Sequence, residues 1–269
     1  MSDINYEIER QAFQKFIDAR ASIYAGEKSD PILPNDTFQS DKSPNDLIFG
    51  AMADDFTREL INSVNKFYLN VFYCEAWFKA AADFPKGQRL SLLFQFAEPL
   101  MELALNRPYA IRSRFIFAAT HLLHQSNKHR MPKWRDELPG DKDIDYKTLI
   151  RVGSGWKAFS AFISDLNGLN DQEFIKATRN FRHLSHHQME INFDIGLVPY
   201  FRRTKTDTGI KYEYLIHGPL KFPDMLSILY RQHARARAAF MSYWSLLNDQ
   251  LDEWIKAQAK RKSAASANS

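Results

Sequence analysis

The stretch SPNDLIFGAMADDFTRELINSVNKFYLNVFYCEAWFKAAADF, residues 43–84, decides the fold. Ser43 can cap a helix, Pro44 suits the first helical position, and Asp46 favours the positive end of the helix dipole. Apolar residues then recur at helical spacing at Phe56, Leu60, Val64, Phe67, Val71, Cys74, Trp77 and Phe78, before Phe84-Pro85-Lys86-Gly87 ends the run. So long a stripe needs partner helices to cover it, and the neighbouring sequence supplies them.

Upstream, Tyr6 to Tyr24 carries Phe13, Phe16, Ile17 and Ile23 in helix-forming sequence and is followed by a loop with Pro31 and Pro34. Downstream, Leu90 to Leu105 predicts a helix bent at Pro99, and another starts near Pro108 and runs to about His129. Pro132 to Asp143 is loop sequence, Gly153-Ser154-Gly155 interrupts the helical sequence beyond it, and Ser154 is placed to cap a short helix ending at Asn167-Gly168. Asn170-Asp171-Gln172-Glu173 has the side chains of a helix start, with Asn170 as cap and Glu173 reaching back. Val198 to Thr204 and Lys211 to Ile216 flank Asp207-Thr208-Gly209 as a β-hairpin, and Pro223-Asp224 opens the last long helix, with Leu226, Leu229, Phe240, Trp244, Leu247, Leu251 and Trp254 turned inward. The expected fold is all-α, a helical bundle with a small β-hairpin excursion near 198–216. Residues 1–257 are expected to form one domain and 258–269 a flexible basic, Ser/Ala-rich tail.

Hydrophobic residues make up 45% and charged residues 25% of the 269, which is globular composition. No run approaches the roughly 18 apolar residues of a membrane span. The lone Cys74 and the polar start Ser2-Asp3-Ile4-Asn5 lead to the expectation of a reducing, cytoplasmic compartment. The net charge of +4 is compatible with a phosphate-rich partner. No Gly-rich phosphate loop and no zinc-type cysteine pattern occurs, and no cofactor is expected.

Chemistry concentrates in Arg179-Asn180-Phe181-Arg182-His183-Leu184-Ser185-His186-His187. On one continuous helix, at about 100° per residue, His183 lies about 40° from Arg179, His186 about 20° on the other side, Glu190 within about 20° of Arg179 and Arg182 about 60° away. Phe174, Ala177, Phe181 and Leu184 form the opposite, core-facing side. Histidine and arginine suit phosphodiester cleavage in RNA, where a base takes the 2′-hydroxyl proton, an acid protonates the leaving oxygen and a cation steadies the phosphorane. No metal is required for that reaction.

The string resembles the signature of the HEPN superfamily, Arg, four to six residues, then His, often with Asn directly after Arg. Arg179-Asn180 with His186 fits the six-residue gap, and Arg182 with His187, with His183 in the polar position, fits the four-residue gap. The resemblance implies an α-bundle with the motif on a late helix, a homodimer that brings two motifs together, and a metal-independent ribonuclease of toxin, phage-defence or RNA-processing type, with an antitoxin or defence-system partner. It implies Arg179 and His186 as catalytic and Asn180 as an orienting polar residue. His183 and His187 complete the candidate catalytic set, and Arg182, Arg202 and Arg203 are candidates for binding RNA, the last two beside tyrosines of the hairpin that can stack on bases.

Two other readings use the same residues. A non-catalytic helical module would bind protein or RNA. A metal-dependent helical hydrolase would use His183, His186, His187 and Glu190, with His121 or His124 from another helix, although Arg179 and Arg182 would repel a divalent ion there. His121 and His124, set among Phe115, Phe117, Leu122 and Leu123, are expected to pack rather than react.

Overall fold

The computed structural model describes residues 6–26, 30–34, 47–131, 133–187, 192–194, 198–207 and 209–267. Helix α1 (Tyr6–Gly26) is followed by α2 (Leu47–Ala81), α3 (Lys86–Leu92) and, after a π-turn at Leu93–Ala97, by α4 (Glu98–Arg130). Four shorter helices come next, α5 (Tyr146–Gly153), α6 (Phe159–Gly168), α7 (Gln172–Ala177) and α8 (Phe181–His187). Strands β1 (Val198–Thr206) and β2 (Gly209–His217) pair antiparallel, and α9 (Phe222–Ala267) is the last described element. The protein is all-α with one small hairpin, as its periodicities require. Among the described residues no helix is long and apolar enough to cross a membrane.

The cap assigned to Ser43, the first helical position assigned to Pro44 and the dipole contact assigned to Asp46 lie outside the described residues. Elsewhere the structure corrects several boundaries. Pro108 does not start a helix, because α4 runs through it. Buried residues on both sides, Ala104 and Leu105 before and Ile111 and Phe115 after, outweigh the single hydrogen bond that the proline removes. The helical backbone runs unbroken from α3 through the π-turn into α4, and Pro99 stands directly after that turn, so the irregularity expected at the proline is the π-turn at Leu93–Ala97.

Ser154 is the C-cap of α5 and does not start a helix. The N-terminal residue before α6 is Ala158, whose N–H donates to the Asp249 carboxylate at 3.2 Å, so a distant side chain does the work of a local cap. Asn170 does not cap α7 either, because its φ of 52° is left-handed whereas a cap is extended. Asp171 takes the position and accepts from the Phe174 N–H at 2.9 Å, while Glu173 pairs with Arg231 at 2.8 Å. Finally, α9 continues through the segment expected to be a flexible tail, carried by the Ala, Lys, Arg and Gln of 256–267, which rank among the better helix formers.

The chain forms two compact units, each assembled from three separated segments. The first comprises Met1–Ser29, Tyr68–Arg107 and Asp171–Arg231, and the second Asp30–Phe67, Pro108–Asn170 and Gln232–Ser269. In the first unit Trp77 is stacked between Phe16, at 4.4 Å, and Phe96, at 4.3 Å. Another aromatic series runs Phe78, Phe222, Phe193, Phe181, with successive centroids 5.6 to 5.9 Å apart. Cys74 is buried in this unit, and burial pushes its thiol pKa far up, so it packs as an inert apolar group.

In the second unit Phe115, Phe162 and Tyr243 form the central aromatic cluster. Trp254 stacks on His129 at 3.7 Å and donates from Nε1 to Ser126. Buried Asn127 donates to the Val152 carbonyl at 2.6 Å and accepts from Trp156 Nε1 at 2.9 Å, which ties α4 to α5 and to the turn after it. Gly153 is required here, since a Cβ would meet the Phe159 ring at 2.0 Å.

Candidate active site

The segment carrying Arg179 is not one helix. α7 ends at Ala177, with Thr178 as C-cap, and α8 begins at Phe181. Arg179 and Asn180 lie between them in left-handed conformation, with φ of 55° and 56°. The Arg179 N–H donates to the Lys176 carbonyl at 3.1 Å and the Asn180 N–H to the Ile175 carbonyl at 2.6 Å. Those two bonds are a Schellman ending, in which Arg179 holds the position that glycine usually fills. Each left-handed residue bearing a Cβ costs about 1–2 kcal/mol, so the surroundings must enforce the break.

Three contacts do so. The Arg179 guanidinium donates through Nη1 to the Gly218 carbonyl, just past β2. The buried Thr178 hydroxyl donates back to the Phe174 carbonyl at 2.9 Å. Phe181, only 2% exposed, packs its ring 5.9 Å from Phe193. The Asn180 carbonyl then accepts the Leu184 N–H at 3.1 Å, so Asn180 closes one helix and opens the next. The expectation that Arg179 and His186 sit about 20° apart on one helix is therefore overturned.

Within α8, Arg182 and His183 are exposed, and Leu184 and Ser185 are half-buried. His186 and His187 are backbone members of α8, their side chains lie outside the described residues, and so does Glu190. Along α8 the positions of Arg182 and His186 are four apart and about 40° apart around the axis, as are those of His183 and His187. The anchoring side holds Phe174 and Phe181 as buried residues, whereas Ala177 and Leu184 are half-buried.

The hairpin belongs to the same unit. Its register pairs Arg202 with Glu213 and Arg203 with Tyr212. Arg203, Lys205 and Lys211 are exposed, as are Tyr212, 64%, and Tyr214, 57%, while the Arg202 side chain lies outside the described residues. Ile210, Tyr212, Tyr214 and Ile216 alternate along β2 and share one face. All four are exposed.

Sequence reasoning missed the segment that holds the motif in place. Leu220 donates to the Asn192 carbonyl at 3.0 Å, Asp194 donates to the Leu220 carbonyl at 2.8 Å, and the Asp194 carboxylate accepts the Phe222 N–H at 3.3 Å. These are backbone pairings of residues distant in the chain, and the Gly218 carbonyl has no side-chain signature at all. The cue that was readable is Asp194, a residue type that tolerates the left-handed conformation found there, φ 56°.

His121 and His124 belong to the second unit and have acidic partners in the loop after α4. His121 Nε2 lies 3.3 Å from Asp141, with its pKa held below the ordinary value by burial against the opposing pull of Asp141. His124 is buried, accepts the Trp134 indole N–H on Nδ1 at 3.2 Å, and meets Asp136 through Nε2 at 3.2 Å. That pattern puts the neutral ring's proton on Nε2. The metal alternative drew on His183, His186, His187 and Glu190 with His121 or His124; of these Glu190 and the side chains of His186 and His187 lie outside the described residues, among which no group of three or more His, Cys, Asp or Glu is arranged to hold a metal ion.

Comparison with protein-family models, with curated proteins and with solved structures returns no match to this chain.

Proposed function

We propose that residues 179–187 form the active centre of a HEPN-like, metal-independent endoribonuclease. The observation that carries this reading is the pair of left-handed residues at Arg179-Asn180, because strain that the surrounding structure must enforce concentrates at functional sites, and here it falls on the two residues that open the motif. The exposure of Arg182 and His183 and the basic, tyrosine-bearing hairpin in the same unit add support.

His183 and His186 divide the proton transfers. One takes the proton from the ribose 2′-hydroxyl as O2′ bonds to phosphorus, and the other gives a proton to O5′ as the P–O5′ bond breaks. The products are a 2′,3′-cyclic phosphate and a 5′-hydroxyl, with no net change in protons or electrons. Arg182 binds the phosphate, and Arg179, which spends one of its five N–H donors on Gly218, turns the others to the phosphorane. Asn180 orients the phosphate, His187 stands in the alternative register, and Arg202 and Arg203 hold the strand. Two copies of the chain bring two motifs to one cleft, in a toxin or phage-defence setting with its cognate partner.

A second reading, an RNA-binding module that does not cut, is favoured by the exposed Tyr212 and Tyr214 beside Arg203, Lys205 and Lys211. RNA cleavage and melting of His186→Ala, His187→Ala and Phe181→Ala decide between them. His186→Ala is expected to lose about 10²–10⁴ in rate at unchanged stability, and Phe181→Ala to lose about 3–5 kcal/mol of stability. Loss of activity in His187→Ala alone would move the register to Arg182 and His187. Wild-type protein that binds RNA and leaves it intact would establish the module.

A further inference from the structure

In the second unit a cavity of about 430 Å³ lies between α2 and α4, beside Ile144 and the turn at Asp141–Asp143. Its volume falls within the roughly 300–1,000 Å³ of pockets that hold small molecules. Helical spacing puts Phe56, Glu59, Leu60 and Ser63 on one side of α2, and Arg114, Phe117, Ala118 and His121 on one side of α4. The two helices run past each other in opposite directions, since Phe56 packs on Phe117 at 5.7 Å and on His121 at 6.1 Å, while Ser63 meets Arg114. The cavity therefore has an arginine end, an aromatic middle and a far end where Asp141 meets His121 at 3.3 Å.

Buried Leu60 and Ala118 and half-buried Phe56, Phe117 and Ile144 make the walls apolar. Three charged side chains are set into them, Glu59, Arg114 and Asp141. Ser63 Oγ donates to the Glu59 carbonyl at 2.7 Å and accepts from Arg114 Nη1, which fixes the guanidinium at that end for one of its five N–H donors. Glu59 is exposed one turn along α2 from Ser63, and among the described residues its carboxylate has no ion-pair partner. Asp141 keeps its charge uncancelled, because burial holds the His121 pKa below its ordinary value and leaves the ring neutral near pH 7. Two carboxylates and one guanidinium give the lining a net of one negative charge.

We propose that this cavity binds free arginine. The site lies outside residues 179–187, and the proposal stands whether or not those residues cut RNA. The ligand's carboxylate pairs with Arg114, its ammonium with Glu59, its aliphatic stem covers Leu60 and Ala118, and its guanidinium lies against the Phe56 and Phe117 rings and meets Asp141. The lengths agree. Arg114 and His121 stand two turns apart on α4, about 10 Å at a rise of roughly 1.5 Å per residue. Arginine extends about 7–8 Å from carboxylate carbon to guanidinium carbon at bond lengths of roughly 1.5 Å, and a hydrogen bond at either end covers the remainder. Its single net positive charge matches the charge of the lining. A polyanion is repelled by the two carboxylates, a polyamine leaves Arg114 without an anion, and a neutral amino acid leaves Asp141 without a cation. Lysine carries the same charges but has no planar group to lie on the rings.

Titration calorimetry on the full chain compares arginine with lysine, citrulline, agmatine and Nα-acetylarginine, of which the last three lose in turn the side-chain charge, the carboxylate and the ammonium. Arginine is expected to bind best, and those three to bind about tenfold or more weakly, the value of one hydrogen bond to a charged group. Glu59→Gln and Asp141→Asn should each weaken arginine about ten- to hundredfold with melting unchanged, because both side chains are exposed. Asp54→Asn removes an exposed carboxylate of α2 outside the lining and should leave binding as it is. In Asp141→Asn citrulline should bind as well as arginine, a loss of discrimination that a merely structural role for Asp141 would not produce. No binding of arginine at millimolar concentration, wild-type binding of lysine, citrulline, agmatine or Nα-acetylarginine as tight as that of arginine, or arginine affinity unchanged in both carboxylate variants overturns the proposal. The ligand series needs only the wild-type chain, so it decides the matter even where a variant fails to fold.

Discussion

Replacing Asn180 by Gly and by Ala separates the cost of the motif's backbone from its chemistry. Asn180 is exposed, and its φ of 56° lies where a side chain with a Cβ costs about 1–2 kcal/mol, with asparagine among the residues that pay least. Glycine removes that cost and gives up about 0.5–1 kcal/mol to the extra freedom of its unfolded chain, so Asn180→Gly should stay within about 1 kcal/mol of wild type. Alanine keeps the Cβ, lacks the local polar contacts of asparagine, and should fall about 1 kcal/mol below both. For a chain of this size that gap separates the melting temperatures of Asn180→Ala and Asn180→Gly by roughly 2 °C or more. RNA cleavage should fail in both variants, because neither presents the amide that orients the phosphate. Scanning calorimetry and a cleavage assay on the same preparations measure the two effects. If Asn180→Ala melts at or above Asn180→Gly, the left-handed turn does not govern this position, and if Asn180→Gly cuts RNA at the wild-type rate, Asn180 has no part in the chemistry.

A pH series tests the buried His233, whose pKa is pushed down to about 4 from 6.5, first by burial and then by the Arg237 charge. Above pH 6.5 the ring is neutral folded and unfolded; as pH falls the unfolded chain binds the proton first, so stability should drop by roughly 3 kcal/mol between pH 6.5 and 4, and His233→Gln should flatten that slope, a result refuted by parallel curves. Light scattering at micromolar concentration should find a two-fold dimer, and a monomer under those conditions would remove the shared cleft from the proposed mechanism.

How much of this was legible in the sequence differs by element. The stripe from Leu60 to Trp77 reported α2 because a helix that long must bury one side, and Val198–Thr204 with Lys211–Ile216 reported the hairpin because the alternation and the Asp-Thr-Gly sequence between the two runs are local signals. The break at Arg179-Asn180 was illegible because no glycine or proline marks it. It is imposed by the Gly218 carbonyl and by Phe193, partners that enter from elsewhere in the chain. The same holds for Ala158, capped by Asp249, and for Pro108, carried through α4 by the burial around it. Of the candidate site, residue types were readable, whereas the bend between α7 and α8 that aims them depends on tertiary contacts.

The most direct test of the central claim is end-group analysis of RNA incubated with purified protein and a chelator in excess. Side-chain chemistry at residues 179–187 predicts cleavage that the chelator leaves unchanged, with 2′,3′-cyclic phosphate and 5′-hydroxyl ends, lost in Arg179→Ala and His186→Ala while both variants still fold. Intact RNA, cleavage abolished by the chelator, or fragments with 3′-hydroxyl and 5′-phosphate ends would contradict it.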